Sequence, residues 1–102
     1  MTSRTSSTKP KKLKLLLRRV QGKSMLPSLK PGQLVFAMHK DPKEGEVVIA
    51  KLLGREIIKR VKSISQDGLY LVGDNSEGSS DSRDYGAIKK EDIVAVVVWP
   101  RV

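Results

Sequence analysis

From Leu34 to the end of the chain, apolar residues come in short runs of alternating or nearly continuous character, each bounded by turn residues. This period-two pattern predicts strands, not helices. Lys30-Pro31-Gly32-Gln33 has Pro at the second and Gly at the third turn position, the type II signature, and Leu34–Met38 follows as a strand. Residues 46–53 and 55–63 form a predicted antiparallel pair across Gly54. Gln66-Asp67-Gly68 signals another hairpin, leading into a strand over 69–72. A polar loop spans 73–86, and the valine-rich Ile93–Trp99 closes the chain as a strand. No internal repeat is present. Several short strands with little helix predict a small, all-β, mostly antiparallel and barrel-like domain.

The N-terminal third follows a different rhythm. Leu13, Leu16, Leu17 and Val20 fall at i, i+3, i+4 and i+7, with Lys12, Lys14, Arg18 and Arg19 elsewhere on the wheel. This predicts a turn or two of basic amphipathic helix, too short to be stable alone in water. It must settle on the body of the protein or on an anionic membrane surface, the alternative being an extended lead-in strand. Residues 1–12, rich in Ser, Thr and Lys, are expected to be disordered. The predicted organisation is therefore a basic tail over 1–19 and one folded body over 20–102.

Charge follows the same division. Of the formal net charge of +9, seven units lie in residues 1–19, which contain no acid, and the body is near neutral. A nucleic-acid-binding domain more often concentrates basic residues on its folded part, among aromatics, whereas this chain has four aromatics in all. No specific nucleic-acid partner is expected; the tail offers at most salt-sensitive, non-specific contact. The absence of cysteine excludes thiolate chemistry and disulfides. A single histidine argues against a metal cluster, and no cofactor is expected. The run Leu15 to Leu17 is far short of the roughly 18 apolar residues of a membrane span, and no signal-peptide pattern is present. The expected location is cytoplasmic, or peripheral to a membrane through the basic tail.

Candidate chemistry begins at Gly22-Lys23-Ser24-Met25-Leu26-Pro27. A serine hydroxyl needs a base before it becomes a useful nucleophile. His39 lies where a strand runs into the turn at Asp41-Pro42, a position typical of a solvated loop histidine. Lys23 adjoins Ser24, but neighbours on an extended segment point to opposite faces. In residues 55–62 the strand period sets Ile57, Lys59 and Val61 on one face and Glu56, Ile58, Arg60 and Lys62 on the other. Lys59 is thus a charged residue on an apolar face. A lysine acting as base near neutral pH needs a pKa roughly 3 units below its free value, about 4 kcal/mol of desolvation. On this segment alone, a lysine snorkelling from a half-exposed strand is the favoured reading.

A third segment, Gly73-Asp74-Asn75 followed by Ser79-Ser80-Asp81-Ser82-Arg83, is ordinary turn chemistry by itself. Its order after the other two segments makes the chain resemble the type I signal peptidase family of Ser/Lys proteases. Ser24-Met25-x-Pro27 matches the nucleophile box, Ile58-Lys59-Arg60-Val61 the lysine box, and Gly73-Asp74-Asn75 with Ser79-x-Asp81-Ser82-Arg83 the third box. The resemblance covers about residues 20 to 99. It implies that Ser24 attacks the scissile carbonyl to form an acyl-enzyme, with Lys59 as general base. It further implies that Ser79 orients the Lys59 amine, that Asp81 and Arg83 pair to hold the loop, and that Asp74 and Asn75 shape the turn beneath the site. Arg60 would be structural, and Met25 and Pro27 would border the substrate. The implied substrate is a precursor with an N-terminal leader and small residues before the cut, bound by strand addition.

Two departures from the family pattern stand out. Gly22 occupies the position, two before the nucleophile, where many members carry a hydroxyl that helps hold the oxyanion. The Ser24 backbone N–H would then carry more of that task, and a missing donor costs about 2.7 to 4 kcal/mol of transition-state stabilisation. The chain also lacks the usual N-terminal membrane anchor and the large insertion near the lysine box. In both respects it resembles the short proteases that mature nickel-type superoxide dismutase. Two rivals share parts of the pattern. A self-cleaving repressor of the SOS-response type has the same dyad, but would call for an upstream DNA-binding helix-turn-helix and an internal cleavage site. An inactive binding module of the same fold would be expected to have lost Ser24, Lys59 or Ser79.

Overall fold

The computed structural model describes residues 14–75, 77 and 82–102. Among these residues six strands form one antiparallel sheet: β1 (Leu15–Arg19), β2 (Leu34–Met38), β3 (Val47–Leu52), β4 (Arg55–Ser65), β5 (Gly68–Val72) and β6 (Ile93–Trp99). Their spatial order is β1-β2-β6-β3-β4-β5, so the C-terminal strand is inserted between β2 and β3. Helix is confined to one turn, α1 (Ser82–Tyr85), and a 3-10 turn at Lys90–Asp92. The fold is the all-β antiparallel domain that the pattern predicts.

The core lies on both sides of β3. Val47, Val48, Ile49 and Ala50 are all buried, which explains why this segment is a continuous apolar run and not an alternating one. On one face Val48 and Ala50 pack with Val61, Leu69, Leu71, Ile88 and Val96. On the other, Val47 packs with Val20, Met25, Leu29 and Val35, and Ile49 with Ala37 and Ala95.

The turns follow their residues. Gln33 N–H donates to Lys30 O at 3.1 Å across the predicted turn. Gly32 there takes a φ of 87°, a left-handed value at no steric cost to glycine. The β3–β4 hairpin turns through Leu53 as well as Gly54, and Leu53 adopts a φ of 52° while 93% exposed. The β4–β5 hairpin turns at Gln66 and Asp67, so β4 runs two residues further than its pattern suggests, to Ser65.

The helical expectation for the N-terminal segment is corrected. Residues 15–19 are a strand, paired antiparallel with β2 from Leu15↔Met38 to Arg19↔Leu34. Leu16 and Arg18 are half-buried while Leu15, Leu17 and Arg19 are exposed, a two-residue period. A helix of so few residues bears the full cost of nucleation, whereas pairing with β2 satisfies the same backbone groups at once. The sheet thus starts at Leu15, five residues before the expected start of the body. Residues 1–13 of the expected tail lie outside the described residues.

Candidate active site

Ser24 follows directly from how β1 ends. After the buried Val20 the chain reverses through Gly22 and enters a compact turn, with Leu26 N–H donating to Lys23 O at 3.2 Å and Leu29 N–H to Met25 O at 2.9 Å. Met25 and Leu29 are sunk in the core against Val20, Val35 and Val47. Burying each such side chain is worth about 1.5–3 kcal/mol. Ser24, half-buried, is therefore held by the burial of its neighbour.

Lys59 lies on β4 opposite Val48. At 6% exposure it is the one buried charged side chain among the described residues. The face it occupies, with Ile57 and Val61, packs onto the core cluster around Val48, as the strand period predicts. Ser24 and Lys59 line the same cleft, of about 820 Å³, whose walls are residues 18–25 on one side and 52–59, apart from Gly54, on the other. A hydroxyl and a buried amine converging on one cleft are the parts that a serine nucleophile with a lysine base requires.

The loop after β5 joins the two walls. Asn75 N–H donates to Ser24 O at 2.8 Å, and Asn75 Nδ2 donates to Lys23 O at 3.0 Å. Its neighbour Asp74 accepts from Arg60 twice, Nε to Oδ1 at 3.0 Å and Nη2 to Oδ2 at 2.6 Å. Those guanidinium hydrogen bonds hold the Asp74 carboxyl below the ordinary aspartate range against the opposing effect of burial, with a smaller contribution from Ser28. Arg60 Nη1 also donates to Gly45 O at 2.9 Å and Val102 O at 2.8 Å. The Ser24 segment is thus tied through Asn75 and Asp74 to Arg60, the residue next to Lys59 on the opposite face of β4.

The remaining sequence candidates divide by position. Gly22 lines the cleft with a φ of 77°, and a Cβ built there meets nothing within 4 Å, so the position favours glycine for its backbone and not for space. Among the described residues no backbone carbonyl takes the Ser24 N–H. Met25 both fills the core and lines the cleft, whereas Pro27 is exposed and outside the cleft lining. Arg83 is exposed on α1. Ser79 and Asp81 lie outside the described residues, and with them the expected Ser79–Lys59 and Asp81–Arg83 contacts. His39 is exposed, away from the cleft.

Two positioning contacts escape sequence reasoning. Ser82 Oγ is buried and accepts the Leu71 N–H at 2.8 Å, pinning the loop to β5. The Arg60–Asp74 pair follows from register: Arg60 stands opposite Val72, two residues before Asp74. A reader who aligned β4 with β5 could have found it.

Comparison with known proteins adds a family. The model of the Peptidase S24-like family matches residues 3–98, almost the whole chain. No curated protein matches the sequence. Among the described residues no helix is long and apolar enough to cross a membrane.

Proposed function

Because the chain belongs to the Peptidase S24-like family, whose superfamily of Ser/Lys proteases takes in both signal peptidases and self-cleaving repressors, we propose that it is a serine endopeptidase that removes a leader from a precursor protein. The observation that carries the proposal is the convergence of Ser24 and the buried Lys59 on one cleft. Lys59 Nζ takes the Ser24 hydroxyl proton as Oγ attacks the scissile carbonyl. The Ser24 N–H donates to the oxyanion of the tetrahedral intermediate. Lys59 then returns the proton to the leaving amine, and the acyl-enzyme is hydrolysed by water activated by the same lysine. Asn75, Asp74 and Arg60 keep the two walls in register, since a displacement of about 1 Å is enough to cost on the order of 10²-fold in rate. The precursor strand lies between the walls with small residues before the cut, and a nickel-type superoxide dismutase precursor is one candidate substrate.

The family match equally supports a second reading, self-cleavage. Incubating the purified chain with candidate precursors and sequencing the product ends by mass spectrometry separates the two. Cleavage in trans yields one new N-terminus on the precursor, at a rate proportional to the concentration of this chain. Self-cleavage yields a shortened form of this chain at a rate independent of its concentration. An intact precursor beside a shortened chain would overturn the leader-removal proposal.

A further inference from the structure

The cleft contains a charge pair that the dyad does not use. Arg18 on β1 and Glu56 on β4 meet in a bidentate contact, Nε to Oε1 at 2.7 Å and Nη2 to Oε2 at 3.1 Å. Three strands separate β1 from β4 in the sheet, so this contact bridges the two walls of the cleft, not two neighbouring strands. Its side chains are 36% and 32% exposed. An ion pair so exposed is worth little and opens easily. Glu56 precedes Lys59 by three residues on an extended strand, roughly 10 Å at about 3.3 Å per residue. A peptide strand bound between the walls would therefore meet the pair about three or four residues from its scissile bond.

The surroundings decide which charge the pair accepts. Glu56 stands opposite Lys51 across the β3–β4 ladder, and Lys51 acts electrostatically on the same carboxylate. If an acidic side chain of the peptide takes Arg18, Glu56 still has Lys51, and both cations remain matched. If a basic side chain takes Glu56, Arg18 is left on a wall that also carries Arg19 and Lys23 and faces Arg55. Glu77 is the other carboxylate lining the cleft among the described residues. Exchange with an acid conserves charge pairing; exchange with a base does not.

We propose that Arg18 is a specificity-determining residue of this cleft, exchanging Glu56 for an acidic side chain of the bound peptide while Lys51 takes over Glu56. The inference deepens the peptidase proposal and rests on it. It gives the preferred substrate an acidic residue a few positions from the cut. In this arrangement Glu56 competes with the substrate for Arg18, so the two partners have opposite effects on binding.

The test reads binding apart from catalysis. The Ser24→Ala chain is titrated with fluorescent alanine-rich peptides carrying Glu, Gln or Lys on the flanks of their central residues, and anisotropy is followed at low and high salt. The Glu peptide is expected to bind about tenfold more tightly than the Lys peptide, with Gln between, and the difference shrinks at high salt. Arg18→Gln weakens binding of the Glu peptide, whereas Glu56→Gln strengthens it. A merely structural strut predicts that both substitutions shift binding in the same direction, and that result overturns the proposal. So does equal binding of the three peptides, tighter binding of the Lys peptide, or no binding at all. Cleavage of a neutral peptide by the unsubstituted chain, followed in parallel, reports on the peptidase reading independently.

Discussion

Asp74 carries a consequence out of proportion to its size. Its carboxylate joins the loop after β5 to Arg60, and with Asn75 that loop holds the Ser24 carbonyl. Hydrogen bonds to charged groups contribute about 1.5–3 kcal/mol each way they are measured, so Asp74→Asn is expected to destabilise the fold by about that amount and to slow cleavage. The pH dependence has a definite sign. Arg60 lowers the Asp74 carboxyl below its unfolded value, so its contribution is complete above about pH 4–5 and is lost as pH falls through the folded value. Urea melts of the two proteins should differ at neutral pH and converge in acid; a difference unchanged down to strongly acidic pH would contradict this role. Gly22 makes a second residue-scale expectation. Its φ of 77° penalises any side chain, so Gly22→Ser should lower stability by about 1 kcal/mol, read as a fall in melting temperature. Restoring the hydroxyl of the signal peptidase pattern here therefore carries a conformational cost.

At the scale of elements, the strands that pack the core were legible and the turns and edges were less so. Leu34–Met38 and Ile93–Trp99 coincide with their predicted bounds because short apolar runs between turn residues suit strands of a sheet, on which side chains alternate between faces with period two. The face assigned to Lys59 follows from the same period. Leu15–Arg19 was misread because four apolar residues at helical spacing also suit a half-covered strand, and the deciding factor is a partner strand about 20 residues away. Ser82 was visible as a letter in a motif, but its hydrogen bond to Leu71 depends on loop closure that no local pattern encodes. Two element-scale expectations follow. Leu53 sits exposed at the hairpin tip with a positive φ, a conformation that Asn tolerates better. Leu53→Asn should leave stability unchanged or raise the melting temperature. Met25 anchors the turn that carries Ser24 in the core, so Met25→Ala should cost about 2–5 kcal/mol in a denaturant titration and reduce activity in whatever fraction stays folded.

For the whole molecule, the sheet brings three distant segments together. Ser24 precedes the long excursion through β2 and β3, Lys59 lies on β4, and Asn75 returns from β5 to the Ser24 carbonyl. Motif order foretold that these segments belong together; the Arg60–Asp74 clasp needed in addition the β4–β5 register, and the Arg18–Glu56 bridge, between strands that are not neighbours in the sheet, had no signal in the sequence. With a lysine base, activity should rise with pH as the amine loses its proton, provided chemistry limits the rate; a flat profile from mildly acidic to alkaline pH would count against it. The most direct test of the Ser24–Lys59 assignment is precursor cleavage by Lys59→Met, measured beside Ser24→Ala and the exposed Lys62→Met, with circular dichroism establishing that each is folded. The account predicts that cleavage is abolished in the first two and retained in Lys62→Met; a folded Lys59→Met chain that still cuts the precursor at the original rate would contradict it.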